Sequence, residues 1–406
     1  MHAALLVLLA LVLMSWPPAC AAESSDATLP IMAWDYADDE STLRLMADCG
    51  VNLVAFAPPS ALDACAKAGV KAIVYQPGVT PDWDQPFKFE PAADVLRGLI
   101  ARVNDHPAVY GYHIKDEPDP SQFAELAKAV ALVNELAPGK WPYINLPPGM
   151  GEGYDGYLDL FVNTCRPDIL SYDNYPVGQD GSFSYGFWAN IAQVRKAGLR
   201  HNLPFWTIVL SSAHLTYGEP SEAHLRLQAW GSLVYGARGV CYYKFISRSL
   251  PILDAPDLGD WRNGPLDQFG EKTHAWSWMR NLNRQLQNVA PIFLKLKSDR
   301  VYHVGEVPQQ NEGITGDSLV KGLRAGEAFI VGDFTHQDGS RWVMIVNKHL
   351  RNSVQCLPDF RQPAAVEYVS PITGELKPFP EPWYCLAPGQ GVLLKLTPKP
   401  EPASAD

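Results

Sequence analysis

The amino-acid sequence predicts an α/β fold, a (β/α)8 TIM barrel followed by a small antiparallel β-sandwich domain. From Leu29 onward, short apolar runs alternate with amphipathic stretches, which is typical of βα units in a parallel sheet. Eight such units within about 270 residues match the size of a barrel. A doubly wound sheet would place a glycine-rich turn after its first strand, whereas the first strand here runs into AWDYADDE. The barrel is therefore favoured.

The eight predicted barrel strands are apolar runs bounded by polar or turn residues. They are LPIMAWDY, VNLVAFAP, VKAIVYQPG, AVYGYHIKDEP, KWPYINLPPG, DILSYDNYPV, LPFWTIVLSS and RGVCYYKFIS. Helical stretches lie between them, and an eighth, THAWSWMRNLNRQLQNVAP, closes the series. The predicted barrel occupies residues 29–298.

After Ser298 the pattern changes to short β-rich segments separated by turns such as QDGS, PITGE and APGQG. The segments are VYHVG, AFIVGDFTH, RWVMIVNKH, AAVEYVS and GVLLKL. This spacing predicts the β-sandwich over residues 299–397. Residues 398–406 are polar and rich in proline, so we expect a disordered tail.

The N-terminus predicts export. Residues 1–22 read as a signal peptide, because an apolar run ends in small residues and is short for a membrane span. The usual basic residue near the start is replaced by His2. Cleavage after Ala21 or Ala22 fits, and lipidation of Cys20 is the alternative. The mature protein would be periplasmic, extracellular or, through Cys20, lipid-anchored, and no later stretch predicts a membrane span.

Composition narrows the possible partners. The net charge is −11 with no visible basic patch, which argues against a nucleic-acid partner. Twelve Trp and 17 Tyr suit sugar stacking, although aromatic residues also fill cores. Neither a metal nor a cofactor is predicted, since the sequence lacks CxxC, HExxH and a phosphate loop in context. It also lacks the GxSxG elbow of serine hydrolases. The sequence does not predict the oligomeric state.

The cysteines that follow the predicted signal peptide leave two interpretations open. Two pairs, Cys49 with Cys65 and Cys356 with Cys385, are close in sequence and are candidate disulfides in an oxidising compartment. Buried free thiols are the other interpretation.

The end of the fourth strand carries the clearest chemical signal. Asp116 and Glu117 directly follow an apolar strand, and Pro118 stops it. Barrel enzymes place reacting groups at this end of their strands. Burial there would raise the pKa of the Glu117 carboxyl toward the range of a general acid, while Lys115 would oppose the effect on Asp116. The alternative is that both acids merely cap the next helix.

The stretch HPAVYGYHIKDEP resembles the fourth-strand signature of the large retaining glycoside-hydrolase clan of barrels, which includes β-galactosidases and endo-glucanases. The C-terminal segments GDFTHQDGSRWVMIVNKH, SPITGE and CLAPGQGVLLKL look like the small β-domain that follows the barrel in many bacterial relatives. With the signal peptide, the resemblance implies an exported hydrolase acting on a poly- or oligosaccharide, with Glu117 as general acid/base. Asp116 stands where the clan has an Asn that binds the sugar 2-hydroxyl.

The clan's nucleophile belongs at the end of strand seven, but LPFWTIVLSS contains no acid. Retaining chemistry needs a second carboxyl about 5–5.5 Å from the first, and inverting chemistry about 6.5–9.5 Å. Glu219, in the following loop, is a tentative nucleophile or a plain helix-start acid. Asp173, on strand six, is a tentative inverting base or a hydrogen-bonding group. The rival hypotheses are a carbohydrate-binding barrel without catalysis and a scaffold protein with a vestigial site.

Further strand ends carry groups suited to a sugar substrate. The candidate binding residues are Trp34, Asp35, Asp116, Asn145, Tyr175, Trp206 and Tyr243. Alternation along a strand allows only one of Tyr242 and Tyr243 to face the barrel interior. The long loop from Arg248 to Lys272 either walls a cleft with Trp261 or packs on the second domain.

Overall fold

The computed structural model describes residues 28–82, 84–247, 261–326 and 328–399. The predicted signal peptide with Cys20, residues 248–260 of the loop after strand eight, and the tail from residue 400 lie outside the described residues. Among the helices that are described, none combines the length and apolarity needed to cross a bilayer.

Eight parallel strands form a closed barrel in which the first strand pairs with the last, Ile31 lying opposite Val240. The strands are β1 (Ile31–Tyr36), β2 (Leu53–Ala57), β3 (Lys71–Val74), β4 (Val109–Asp116), β5 (Trp141–Leu146), β6 (Leu170–Asp173), β7 (Phe205–Leu210) and β8 (Val240–Tyr243). Each strand falls within one predicted apolar run, and the predicted barrel is confirmed.

Helices follow the strands and surround the barrel. They are α1 (Glu40–Asp48), α2 (Leu62–Ala68), α3 (Phe89–Val103), α4 (Phe123–Leu136), α5 (Glu152–Cys165), α6 (Gly186–His201), α7 (Glu222–Val234) and α8 (His274–Phe293). Helix α3 shows why they form, because Ala92, Leu96, Leu99 and Val103 recur at helical spacing and are buried along one face.

The C-terminal part is antiparallel, as predicted. Its strands are β9 (Leu296–Val304), β10 (Val320–Leu323), β11 (Phe329–His336), β12 (Arg341–Asn347), β13 (Val354–Gln355), β14 (Pro358–Phe360), β15 (Ala364–Val369), β16 (Leu376–Pro378), β17 (Cys385–Leu386) and β18 (Gly391–Pro398). Six of them form one sheet in the order β16-β15-β18-β12-β11-β9, and two further pairs, β10-β14 and β13-β17, lie outside it.

The two faces of the six-stranded sheet bury different neighbours. Ile330 and Leu393 join the same hydrophobic core as the barrel helices, whereas Val331 on the opposite face packs in a second core with residues of β10 and β17. Contact with α7 is close, since a Cβ atom at Gly391 would lie 2.6 Å from the Trp230 ring. The predicted sandwich is thus one large sheet between the barrel and a partial outer layer.

All six cysteines in the described residues are free. This supports the interpretation as free thiols rather than as disulfides. Cys385 pairs in register with Gln355, and the neighbouring Cys356 faces the core while Cys385 is exposed. Alternation therefore directs the two thiols to opposite faces. Cys49 donates instead to the carbonyl of Trp276 at 3.4 Å. Neither candidate disulfide is present.

Candidate active site

The chain turns sharply where β4 ends. Glu117 has a φ of 43°, in the left-handed region that residues with a Cβ rarely adopt, and Pro118 follows it. The Glu117 N–H donates to the Asn145 carbonyl at 2.9 Å. Such a conformation costs about 1–3 kcal/mol and persists only where neighbouring contacts hold it. The strained residue is the one that the sequence predicts as the general acid.

Asn145, in β5, bridges the acids of two neighbouring strands. Its Nδ2 donates to Asp116 Oδ1 at 3.0 Å and to Asp173 Oδ1 at 2.9 Å. Its Oδ1 accepts from the Ser171 hydroxyl at 3.0 Å, which fixes the orientation of the amide. The ends of β4, β5 and β6 therefore hold a cluster of three carboxyl groups, Asp116, Glu117 and Asp173.

The carboxyl groups of Glu117 and Asp173 lie close enough for a hydrogen bond between them to shift the pKa of each. Two carboxyl groups can make such a bond only if they share a proton. Burial raises the pKa of Asp173 well above its usual value, and the charges of Glu117 and Asp116 raise it further. Burial also raises the pKa of Glu117, whereas the Asp173 hydrogen bond and Lys115 oppose that rise. At rest the proton thus lies on Asp173, with the more exposed Glu117 as acceptor.

Asp116 is the third member of the cluster. Burial raises the pKa of its carboxyl to about 7, and the nearby charge of Glu117 adds to this effect. The hydrogen bond from Asn145 and the charge of Lys115 work in the opposite direction. The cluster therefore holds protons at pH values at which isolated carboxyl groups are ionised.

The carboxyl cluster lies in a cleft of about 820 Å³ at the mouth of the barrel. Aromatic side chains line two parts of this cleft. Trp34 on β1, Phe56 on β2 and Tyr75 directly after β3 form one group, and the other lies near β6 to β8. In the second group Tyr175 stacks on Tyr243 at 5.2 Å between ring centroids, and His214 stacks on Trp261 at 5.9 Å. Such walls suit the apolar faces of sugar rings.

Seven of the residues predicted from the sequence line this cleft. They are Trp34, Asp116, Glu117, Asn145, Asp173, Tyr175 and Tyr243. Tyr242 faces the other way and donates to Asn283 on α8 at 2.7 Å. Trp261, from the loop that the sequence offered as a cleft wall, also lines it.

Asp35 does not line the cleft, although it was predicted to bind substrate. Its carboxylate accepts from the backbone N–H groups of Phe245 and Ile246 at 2.7 and 2.9 Å. It also forms a buried ion pair with Lys244 at 3.0 Å. Asp35 thus fixes the start of the loop after β8, and its contribution to the site is indirect.

Trp206 and Glu219 also lie away from the cleft. Trp206 is fully buried and packs against Trp141 inside the barrel, because it lies near the start of β7 rather than at its end. Glu219 has a half-exposed side chain that pairs with Arg262 at 3.0 Å. The structure does not bring the tentative nucleophile to Glu117.

Two histidines of the cleft were missed by the sequence analysis. His214 follows β7 by a few residues, and its Nδ1 lies 3.1 Å from the Ser212 carbonyl, so Nδ1 carries the hydrogen. Burial lowers its pKa, which keeps the ring neutral. Examining strand ends for imidazoles as well as acids would have found it. His113, inside β4, gave no comparable signal.

The spacing of the carboxyl groups limits the chemistry of the resting site. Retaining and inverting glycosidases hold their two carboxyl groups about 5–5.5 Å and about 6.5–9.5 Å apart, whereas a hydrogen bond between Glu117 and Asp173 requires a closer approach. A substrate would have to part the two groups. Within the described ranges, no cluster of three or more His, Cys, Asp or Glu side chains is arranged to hold a metal ion.

Comparisons with known proteins establish the fold. No protein-family model and no curated protein sequence matches the chain. Its structural neighbours are glycoside hydrolases. One is a glycoside hydrolase family 5 protein from Bacteroides vulgatus, with a TM-score of 0.59, 12% identity, and coverage of 91% of this chain and 88% of that one. Another, described as a glycoside hydrolase, has a TM-score of 0.57, 12% identity and 93% coverage of both chains.

A third neighbour is the β-galactosidase from the psychrophilic Marinomonas ef1, with a TM-score of 0.51 and 12% identity. The match covers 64% of this chain and only 60% of that enzyme. At such identities the likeness concerns the fold, a barrel followed by antiparallel sheets. Any statement about activity depends on the site itself.

Proposed function

We propose that this protein is an exported glycoside hydrolase that cleaves an O-glycosidic bond of an oligo- or polysaccharide, with Glu117 as general acid. The carboxyl groups of Glu117 and Asp173, both positioned by Asn145 in an aromatic-lined cleft at the mouth of the barrel, carry the proposal. The glycoside hydrolases among the structural neighbours support it through the fold.

The proposed reaction uses the shared proton. The proton passes across the hydrogen bond to Glu117 before a bound sugar parts the two carboxyl groups, and Glu117 donates it to the glycosidic oxygen while the C–O bond breaks. Asp173, now a carboxylate, takes a proton from the attacking water. The products leave Glu117 ionised and Asp173 protonated. This is the resting arrangement, from which the proton returns to Glu117 across their hydrogen bond.

Charge in the cleft indicates the substrate class. Asp82 and Glu117 line the cleft as acids, Asp116 and Asp173 hold protons beside them, and no Lys or Arg is among the described residues that line it. Such a surface repels carboxylate and sulfate groups, since like charges that meet at close range cost several kcal/mol. We therefore propose a neutral or amino-bearing sugar chain as the substrate.

A panel of neutral, amino and acidic oligosaccharides tests the proposal. Glu117→Gln should cut hydrolysis of an unactivated glycoside by about 10²–10⁴-fold, the usual contribution of general acid–base catalysis. An aryl glycoside with a good leaving group should lose less, because its departure needs less protonation. Glu219→Gln is the matched control and should retain wild-type rates, because that carboxylate pairs with Arg262 outside the cleft. Equal losses in both variants would contradict the assignment.

One observation favours a second candidate, a carbohydrate-binding barrel without catalysis. After β7 the chain has Ser211, Ser212 and His214 at the place where the glycoside-hydrolase clan that it resembles has its nucleophile. If wild type and Glu117→Gln bind one sugar equally and neither hydrolyses any of the panel, this candidate replaces the hydrolase.

Export is tested separately by intact-mass analysis of the protein from its native host. We expect the first 21 or 22 residues to be missing, which follows from the apolar run that ends in small residues. A cytosolic protein that still begins at Met1 would contradict export and leave the chemistry untouched.

A further inference from the structure

His113 lies in the wall of the cleft with its ring almost fully enclosed. The side chain is 1% exposed and lines the cleft from β4. It packs against Phe56 at 4.7 Å, Trp34 at 5.6 Å and Tyr143 at 5.9 Å between ring centroids. Three aromatic neighbours therefore fix the plane of the imidazole.

The hydrogen bonds of Thr80 determine which ring nitrogen carries the proton. The Thr80 hydroxyl donates to the His113 carbonyl at 2.7 Å, so its single hydrogen is already used. His113 Nδ1 lies 3.3 Å from the same oxygen. The contact is a hydrogen bond only if Nδ1–H donates to that oxygen. Nε2 then bears a lone pair and no hydrogen.

His113 Nε2 is buried and has no hydrogen-bond partner in the described part of the chain. Burial lowers the pKa of the ring to about 3, and the charge of Lys115 lowers it further, so the ring stays neutral at physiological pH. A buried polar atom without a partner costs about 1–3 kcal/mol and is rare in native proteins. Nε2 is thus a hydrogen-bond acceptor in the wall of the cleft, which indicates that a donor from a bound ligand is missing.

We infer that His113 Nε2 accepts a hydrogen bond from one free hydroxyl group of the sugar ring that binds against Trp34, and so selects substrates that carry this hydroxyl unmodified. The inference rests on the proposed function and adds a specificity-determining residue to it. A deoxy, O-methyl or O-acyl group at that position has no hydrogen to donate, and the neutral imidazole has none to offer from Nε2. Such sugars would leave the acceptor unsatisfied.

Two substitutions separate the acceptor from the ring. His113→Phe keeps a planar ring among Trp34, Phe56 and Tyr143 and removes the nitrogen. His113→Gln returns an acceptor oxygen close to the position of Nε2. The probes are the best substrate of the panel and its monodeoxy and mono-O-methyl derivatives. Affinity is measured by calorimetry in a Glu117→Gln background, and kcat/KM is measured with Glu117 intact.

Wild type should prefer the parent sugar over one particular deoxy derivative by about 10-fold, the equivalent of one net hydrogen bond of about 1.4 kcal/mol. His113→Phe should lose this preference at that position and keep the others, and His113→Gln should restore part of it. A His113→Phe protein that retains every preference would overturn the inference and leave the hydrolase proposal standing. A wild-type protein that neither binds nor cleaves any sugar would instead overturn the proposed function.

Nitrogen NMR of the ¹⁵N-histidine-labelled wild-type protein gives a second readout that does not depend on the variants. Nε2 of His113 should remain unprotonated from pH 5 to pH 9, a range well above its lowered pKa, and its resonance should move when the parent sugar binds. The matching deoxy derivative should leave it unmoved. A protonated Nε2 in the free protein would refute the assignment.

Discussion

Asp173→Asn tests the shared proton directly. In wild type, the charge of Glu117 raises the pKa of Asp173, so ionisation of both would place two negative charges beside one another. Two unit charges about 4 Å apart repel each other by about 4 kcal/mol at an effective dielectric constant of 20 and by about 1 kcal/mol in water. Because Glu117 is open to the cleft, the repulsion lies between these limits. It corresponds to a pKa shift of about 1–3 units.

The substitution removes this repulsion and supplies an amide that can donate to the Glu117 carboxylate. Both effects favour loss of the last carboxyl proton, which the pair in wild type holds at the upper of its two pKa values; in the variant this proton belongs to Glu117 and should leave at a pH about 1–3 units lower. A general acid works only while protonated. The basic limb of the kcat/KM profile should therefore move to lower pH by the same amount, in addition to any loss of rate.

The assay that does not depend on turnover is a pH titration of the Glu117 carboxyl carbon by ¹³C NMR, in wild type and in Asp173→Asn. Asp82→Asn is the matched control, because it makes the same carboxyl-to-amide change in the same cleft. It should shift the titration much less. If the last titration step seen at Glu117 falls at the same pH in wild type and in Asp173→Asn, the two groups share no proton and the proposed mechanism fails.

Two further predictions concern stability. The pKa of Asp116 is raised to about 7, so its contribution to stability is fully present below the unfolded value of 3.8 and is lost as the pH rises through about 7. Asp116→Asn should flatten the fall of the free energy of unfolding with pH in this range, measured by urea titrations. The change should be smaller than the roughly 4 kcal/mol that the full pKa shift implies, because Asp116 is only half-buried. An unchanged slope of free energy against pH would contradict the shift. Asp35→Asn should cost about 3–5 kcal/mol in free energy of unfolding, since it leaves Lys244 without its buried partner. A loss below 1 kcal/mol would show that the pair does not hold the loop after β8.

The barrel was predictable because each of its strands is buried on both faces and reads as an apolar run. The acids of β4 and β6 were predictable from the same periodicity, since a strand end in this fold opens on the mouth of the barrel. The location of Glu117 and Asp173 at the cleft was therefore predictable from the sequence alone. Their contact was not, because it depends on the amide of Asn145 and on the left-handed turn at Glu117.

The misplaced residues have specific physical causes. Alternation gives the face of a strand but not the depth along it, so Trp206 was assigned to the mouth although it occupies the second position of β7. Asp35 binds two backbone N–H groups and Lys244 instead of lining the cleft, and these partners lie far from it in sequence. Glu219 lies on a loop whose path the pattern of apolar residues does not determine. These are long-range effects, and one sequence contains no direct signal for them.

The position of β18 has a consequence for folding. This strand lies between β12 and β15, and it covers Trp230 of α7 with Gly391. The central part of the sheet thus depends on a strand that begins at Gly391, far along the chain from the end of α7 at Val234. Without β18 the apolar face of α7 around Trp230 would be uncovered. Because the contact joins residues so far apart in sequence, we expect the barrel and the C-terminal sheet to complete their packing together and late in folding.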